Sequence, residues 1–157
     1  MKFKNLYLSF LTIAMISNAF AGSFGKNHSA ELLSRGRSVP MSISNDVLVI
    51  AKTFSSLTPR SVDIYNVDKN ASVLTKIGEL NSPNPMPGDD FGYSLDISDN
   101  YLLIGSPGHN NGHGAAYLFK KINENWEIDT VFTNPVSFED EGFPHKFGYS
   151  VAISDNY

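Results

Sequence analysis

The feature that most constrains this chain is a phrase that its sequence spells twice. FGYSLDISDNY begins at Phe91, and FGYSVAISDNY begins 56 residues later at Phe147. A weaker copy lies upstream, where ISNDVLVIA from Ile43 aligns with ISDNYLLIG from Ile97 at an offset of 54 residues. The same offset places VDIY from Val62 over AYLF from Ala116. Agreement of two regions at one offset indicates a repeated structural unit.

Each repeated unit has the pattern of four short strands. In the second unit, Tyr93, Leu95 and Ile97 alternate with polar residues, as in a strand with one buried face. Residues 101–104 are continuously apolar, which is typical of a strand covered on both faces. Two further strands are predicted at 115–121 and 126–132, with turns at 98–100 and 123–125.

Four antiparallel strands in a unit that repeats predict the blades of a β-propeller. A β-sandwich would explain the number of strands, but not why whole units of four strands recur. The expected fold class is all-β: a partial propeller of about two blades plus one strand, after a signal-peptide helix. The predicted segments are a signal peptide (1–21), an irregular segment (22–36), a degenerate blade (37–90), a second blade (91–146) and the start of a third blade (147–157).

The N-terminus has the pattern of a secretory signal peptide. Lys2 and Lys4 precede a mostly apolar run at 6–16, and NAFA ends in small residues at the positions that a signal peptidase reads. Cleavage is therefore predicted between Ala21 and Gly22. A membrane anchor is the alternative, but the run is short for about 30 Å of hydrocarbon. The expected location is secreted or periplasmic, and this peptide is the only helix expected.

Composition narrows the classes of partner and the means of stabilisation. There is no cysteine, so no disulfide forms, and Gly22 stands where a lipoprotein would carry its lipid-bearing cysteine. The formal net charge is −4 and Lys and Arg do not cluster, which argues against a nucleic-acid partner. No second long apolar run follows, so no membrane association is expected after the signal peptide is removed.

The second unit resembles the FG-GAP repeat, named for its Phe-Gly and Gly-Ala-Pro words. FGYSLDI at 91–97 is followed by LLIGSP at 102–107, where Gly-Ser-Pro replaces Gly-Ala-Pro. That repeat builds the seven-bladed propeller of integrin α-chain head regions and occurs in many exported bacterial proteins. The resemblance covers residues 37–157, but Ala51-Lys52 replaces Gly-Ser-Pro in the first unit.

The resemblance implies structural roles for the residues of these words. Gly92 is expected to permit close packing where a blade begins, and Gly105 to end the inner strand and turn the chain. The structural residues implied in this way are Phe91, Gly92, Gly105, Pro107, Phe147 and Gly148.

Many FG-GAP repeats also carry a calcium loop of the form D-x-D-x-D-G-x-x-D between the F-G strand and the next one. This chain has only Ser98-Asp99-Asn100 there, and Ser44-Asn45-Asp46 in the first unit. Calcium needs about six to eight converging oxygen ligands, which one carboxylate in a tight turn does not supply. We therefore expect no metal site in these turns, and no cofactor.

Two kinds of side-chain cluster, one of histidines and one of carboxylates, are candidates for a metal-binding or acid–base site. His109 and His113 have the i, i+4 spacing of a zinc pair on a helix, but the surrounding glycines predict a flexible loop instead. The acidic clusters Asp89-Asp90 and 139–141 precede the two F-G words, where paired carboxylates could act in acid–base chemistry or bind a cation. In loops rich in Pro and Gly, we expect such carboxylates to be solvated.

Other motifs have plain structural interpretations. Asn27 and Asn70 lie in glycosylation sequons, which matter only in a eukaryotic secretory pathway. Trp126 begins an alternating apolar face, so it is expected in blade packing rather than as a platform for a sugar. The chain contains none of the motifs of a serine hydrolase, a P-loop or a zinc protease, so it is predicted to have no catalytic residues and not to be an enzyme.

The resemblance implies an exported, non-catalytic, integrin-α-like module that binds a protein or a glycan in adhesion. The alternatives are the propeller portion of a secreted hydrolase whose catalytic domain is missing, and a non-functional truncated gene product. Because the third unit only begins, the sequence is expected to be a fragment, from a truncated gene or a partial gene model. A unit that self-associates through exposed blade edges is the other interpretation.

The signal-peptide interpretation predicts the N-terminus of the exported protein. When the chain is expressed in a host with a general secretion pathway, N-terminal sequencing of the exported protein should begin at Gly22. Exported protein that still begins at Met1, or cleavage at a distant site, would contradict it.

Overall fold

The computed structural model describes residues 39–52, 60–68, 70–71, 73–135 and 144–154. In these ranges, eight strands form two four-stranded antiparallel sheets. The first sheet has the order β1 (Met41–Ser44), β2 (Val47–Ala51), β3 (Ser61–Asp68), β4 (Val73–Asn81). The second has the order β5 (Ser94–Ile97), β6 (Tyr101–Ser106), β7 (Ala115–Ile122), β8 (Asn125–Thr133), and the short helix α1 (His109–Gly112) joins β6 to β7.

The prediction of an all-β chain built from four-stranded antiparallel sheets is confirmed, and the arrangement is consistent with partial propeller blades. The predicted signal-peptide helix and the junction between Ala21 and Gly22 lie outside the described residues. The short helix α1 is a single turn of four residues with left-handed backbone at Asn110 and Asn111, so it is not a regular helix and the all-β prediction stands.

The strands of the second sheet follow from the alternation in the sequence. Leu95 and Ile97 of β5 are buried, and they pair with Ile104 and Leu102 of β6. The β7–β8 turn has positive φ at Asn123 (48°) and Glu124 (68°). Positive φ at both central residues is the conformation whose twist suits a tight hairpin between antiparallel strands.

The main hydrophobic core lies between the two sheets, which pack face to face. It buries side chains from β2 and β3 of the first sheet against β5, β6 and β7 of the second. A smaller cluster lies on the other face of the first sheet. The main core comprises Val49, Ala51, Val62, Ile64, Phe91, Leu95, Ile97, Leu102, Ile104, Ala115, Tyr117 and Phe119, and the smaller cluster Leu48, Ile50, Tyr65 and Val67.

The first F-G word forms the joint between the sheets. Phe91 is 1% exposed, and its ring meets those of Tyr117 and Phe119 edge-on, at centroid distances of 5.5 and 6.4 Å. Gly92 has φ of +82°, and a Cβ there would lie 3.1 Å from a methyl of Val62 and 3.2 Å from the Cβ of Ala51. The phenylalanine therefore fills the space between the sheets, and the glycine lets the backbone touch the first sheet.

The second F-G word repeats this backbone geometry. Lys146 and Gly148 have φ of 54° and 78°, close to the 58° and 82° of Asp90 and Gly92. The amide of Tyr149 donates to the carbonyl of Lys146 at 3.0 Å, as the amide of Tyr93 donates to that of Asp90 at 2.9 Å. The residues that open the second and third units thus share one turn conformation.

Gly105 has a different role from the one expected. β6 continues through it to Ser106, so Gly105 neither ends the strand nor turns the chain. A Cβ on Gly105 would overlap the carbonyl oxygen of Gly148 and the hydroxyl of Ser94. Glycine is required here because the backbone of the third unit lies directly on the second sheet, as Gly92 lies on Ala51.

Asp96 links three successive units. Its Oδ1 accepts a hydrogen bond from the Ser42 hydroxyl in β1 at 2.8 Å, and its Oδ2 accepts one from the Ile153 amide at 3.0 Å. The Ser94 hydroxyl also donates to the Gly148 carbonyl at 2.8 Å. Because β1 and β5 are in contact, these bonds connect the first strands of the first two units with each other and with residues 148–153 of the third unit.

An ion network fixes one end of the first sheet. Asp63, only 9% exposed, lies 2.8 Å from the Lys76 ammonium, and Glu79 lies 2.7 Å from the ammonium groups of both Lys52 and Lys76. Hydrogen bonds from Lys52, Lys76 and the Ser61 side chain lower the pKa of Glu79 to about 2. The folded state therefore holds this carboxylate in its ionised form.

The close contact of Gly92 with the first sheet predicts different effects of substitution at two glycines whose φ values differ by only 5°. Gly88 has φ of +87° with nothing within 4 Å of an added Cβ, so Gly88→Ala should cost only the left-handed strain of about 1–2 kcal/mol. Gly92→Ala adds overpacking against Val62 and Ala51 and should cost a further ~1–3 kcal/mol. Urea unfolding measures both, and equal losses would contradict the role of Gly92 as a joint.

The network predicts a pH dependence of stability. The pKa of Glu79 is lower in the folded state, so its contribution is complete above about 4.5, the ordinary pKa, and is lost as pH falls toward 2. Glu79→Gln should therefore lower the urea midpoint at neutral pH and reduce its fall between pH 4.5 and 2. Glu127→Gln, in exposed β8, is the matched control; an unchanged acid slope in Glu79→Gln would contradict this account.

Candidate functional site

Three connections meet at one end of the sheets and enclose a cavity of about 400 Å³. They are the β4–β5 connection, the β6–β7 connection that contains α1, and the residues 144–146 that lead to the second F-G word. We call this cavity the loop-face pocket. Its polar lining comes from Asp89, Asp90, Asn110, Asn111 and Lys146, and its remaining walls are glycine, proline and Met86.

Asp89 anchors the first connection instead of facing solvent. Its residue is 5% exposed, and its Oδ2 accepts a hydrogen bond from the Met86 amide at 3.1 Å. Its carbonyl accepts one from the fully buried Ser106 hydroxyl at 2.7 Å and one from the Gly108 amide at 3.0 Å. The expectation of a solvated carboxylate is wrong here, because the side chain closes its own turn.

Asp90 is held by a charge from the first sheet. Its Oδ1 lies 2.7 Å from Nη2 of Arg60, at the start of β3, and neither side chain is fully exposed. The two neighbouring carboxylates therefore point to different partners and do not form an acid–base pair. The second acidic cluster, Glu139-Asp140-Glu141, lies outside the described residues.

α1 forms the second wall, where a flexible loop was expected. Asn110 and Asn111 have left-handed backbones, with φ of 48° and 57°, so the segment is one tight turn and not a regular helix. Hydrogen bonds to the carbonyls of residues 108–110 close the turn. A Cβ on Gly112, at φ of +90°, would lie 2.7 Å from the Cβ of Pro144. The glycine thus lets the second and third walls meet.

The two histidines of the candidate zinc pair have separate neighbours. Nδ1 of His109 lies 3.3 Å from the Tyr117 hydroxyl and 3.7 Å from Oδ2 of Asp89. The ring of His113 lies 6.1 Å from that of His145. Among the residues that the structure describes, no three His, Cys, Asp or Glu side chains are grouped so that they could hold a metal ion.

The third wall is fastened to α1 by backbone bonds. The Lys146 amide donates to the Gly112 carbonyl at 2.8 Å, and the Phe147 amide donates to the His113 carbonyl at 2.9 Å. Gly114 forms a parallel bridge with Phe147, and a Cβ on it would overlap the backbone of that residue. Phe147 and Gly148 therefore position the pocket as well as opening the third unit.

The turns at the opposite end of the sheets contact each other. Oδ1 of Asp99 accepts hydrogen bonds from the Ser44 hydroxyl at 2.9 Å and from the Asn45 side-chain amide at 2.6 Å. These are the two turns where the family resemblance would place calcium loops. In this chain, the carboxylate of the second turn joins it to the first.

The other residues that the sequence singled out are either packed in the sheets or exposed to solvent, away from the pocket. Pro107 is fully buried beside Ser106. Trp126 is half-buried and packs against the main core. Asn70 is exposed in the β3–β4 turn, where its amide donates to Oδ1 of Asp68 at 2.9 Å, and Asn27 lies outside the described residues.

The loop-face pocket was not predicted from the sequence. The run GHNNG predicts a turn, because Asn and Gly adopt positive φ easily, and that signal was available. The burial of Asp89 and the approach of residues 144–146 depend on contacts between units.

Burial also raises the pKa of Tyr117, whose hydroxyl lies beneath this region, so the phenol stays protonated.

Comparison with known protein families finds a match to most of the second sheet and to the strand before it. A family model described as the FG-GAP repeat matches residues 75–119. This range runs from β4 into β7 and includes Phe91, Gly92, Gly105 and Pro107. No curated protein matches the chain. Within the described ranges, no helix is long and apolar enough to cross a membrane. Residues 75–119 are therefore similar to an FG-GAP repeat, in agreement with the resemblance of the second unit.

Proposed function

We propose that this chain is an exported, non-catalytic binding module that presents the loop-face pocket to a protein or glycan ligand in adhesion. The observation that carries the proposal is the convergence of three connections from successive units at one end of two packed sheets. Rigid sheets that position polar loops are the usual arrangement of a binding surface. The matched FG-GAP repeat supports a propeller-type scaffold for it.

The contacts of the pocket's anchoring groups also support binding. The carbonyl of Asp89 accepts two hydrogen bonds, and its carboxylate faces the Met86 amide and His109. These groups hold the connections in place, so the pocket is formed before a ligand arrives. A pre-formed site loses less entropy on binding than one that must be ordered.

We also propose self-association through the exposed blade edge of the second sheet, at β8 and on the adjoining face that is turned away from the first sheet. Leu103 and Leu118 are paired on this face, and Phe132 pairs with Ala116 beside them. Phe132 is 44% exposed, and Tyr149 of the third unit is 56% exposed. Apolar side chains grouped at the edge of a sheet favour contact with another sheet.

The binding proposal is tested by paired substitutions of asparagine. Asn111→Gly keeps the left-handed backbone but removes a pocket amide, while Asn123→Gly makes the same change in the β7–β8 turn, at φ of 48°. We expect Asn111→Gly to weaken binding of the mature chain to immobilised extracellular-matrix proteins or an array of glycans by about tenfold, equivalent to about 1.4 kcal/mol. Equal binding by both variants to every such surface would contradict the proposal.

The self-association proposal is tested by sedimentation velocity over a range of concentrations. The unsubstituted chain should sediment faster as its concentration rises, and Phe132→Glu should remove this dependence because a buried carboxylate is costly. Ile77→Glu, on exposed β4 of the first sheet, is the control and should still associate. A chain that stays monomeric at all concentrations would refute self-association.

A further inference from the structure

The loop-face pocket has a distinctive balance of charge. Asp90 is paired with Arg60 at 2.7 Å, Asp89 is buried on the Met86 amide, and Lys146 lies on the opposite wall. Neither sign of charge therefore dominates the cavity. A free cation would compete with Arg60 for Asp90, and an anion would face two carboxylates. The charges of the lining favour a neutral ligand.

Besides the Lys146 ammonium, the exposed side-chain hydrogen-bonding groups of the pocket lining are amides. Asn110 and Asn111 are both exposed, and their side chains have no hydrogen bond to any part of the chain that the structure describes. Each amide offers two donors and one acceptor. Adjacent hydroxyls on a sugar ring both donate and accept, so two neighbouring amides match them better than they match a simple ion.

The backbone beneath these amides is fixed before binding. The amides of Gly112, His113 and Gly114 donate to the carbonyls of residues 108–110 at distances of 3.0, 3.3 and 2.9 Å. The two asparagines therefore have defined left-handed backbones at the edge of the cavity. Only their side-chain rotamers remain to be ordered when a ligand arrives, which keeps the entropic cost low.

The rest of the cavity is shaped for a small ring. Pro87, Pro144 and Met86 provide apolar surface, which suits the C–H face of a sugar. A Cβ on Gly108 would overlap the Gly88 carbonyl, so glycine allows the first two walls to approach each other. A volume of about 400 Å³ is at the lower end of the range of small-molecule sites, about 300–1,000 Å³.

From this combination, we propose that the loop-face pocket binds a neutral carbohydrate residue through the amides of Asn110 and Asn111. The inference rests on the proposed binding function and specifies its ligand. An extended peptide is the less favoured occupant, because the pocket offers no free strand edge and no deep apolar hole among its lining residues.

The test is saturation-transfer NMR on residues 22–157 of the chain with free glucose, galactose, mannose and N-acetylglucosamine. At least one of these sugars should show transfer to its ring protons. The double variant Asn110→Gly/Asn111→Gly should weaken that binding by about tenfold or more, since each lost hydrogen bond to a neutral partner is worth about 0.5–1.5 kcal/mol. Asn123→Gly, which also has a positive φ, should bind as the unsubstituted chain does.

The outcomes separate the two proposals. Transfer that the double variant abolishes and the Asn123→Gly control keeps would support carbohydrate binding. If no neutral sugar shows transfer, or if transfer is equal in both variants, the carbohydrate inference is overturned. Capture of an immobilised protein that is lost in Asn111→Gly, with no transfer to sugars, would overturn the carbohydrate inference alone. If the double variant keeps its sugar transfer and Asn111→Gly keeps its protein capture, the binding function is overturned as well.

Discussion

The close approach of one unit's backbone to the sheet of the unit before it is the constraint on which the rest of the structure depends. Gly92 lies against Ala51, and Gly148 lies against Gly105. A Cβ on Gly92 would press on the side chains of Val62 and Ala51, and a Cβ on Gly105 would overlap the Gly148 carbonyl. The position of Phe91 in the core and the hydrogen bonds of Asp96 both require this separation.

The sheets and the loop face are two consequences of the same joint. With the units this close, the β4–β5 connection must turn sharply into the next sheet, and Asp89 closes that turn from inside. Backbone hydrogen bonds from Lys146 and Phe147 to Gly112 and His113 hold the third wall at the end of α1. The distance between units therefore determines the backbone positions around the pocket. The pocket's side chains project from this backbone.

Local signals in the sequence predicted the sheets well, because strands of this kind depend on alternation and turn residues. The strand at Leu95 and Ile97 and the turn at Asn123 lie where the pattern placed them. Predictions failed where a residue's surroundings came from another unit. Asp89 is buried, and Gly105 lies against the backbone of Gly148. In both cases the contacting residue is 17 or more positions away in the sequence. The i, i+4 spacing of His109 and His113 does not form a zinc pair, since left-handed residues between them break the helical period, and the glycines around them had already indicated this.

The two oxygens of Asp96 have a consequence for the order of assembly. One accepts a hydrogen bond from Ser42 in β1 and the other accepts one from the Ile153 amide of the third unit, so a single side chain contacts both neighbouring units. A newly made third unit finds its acceptor already oriented by the first. Such an arrangement favours vectorial growth from the N-terminus, in which each completed layer is the template for the next one to emerge.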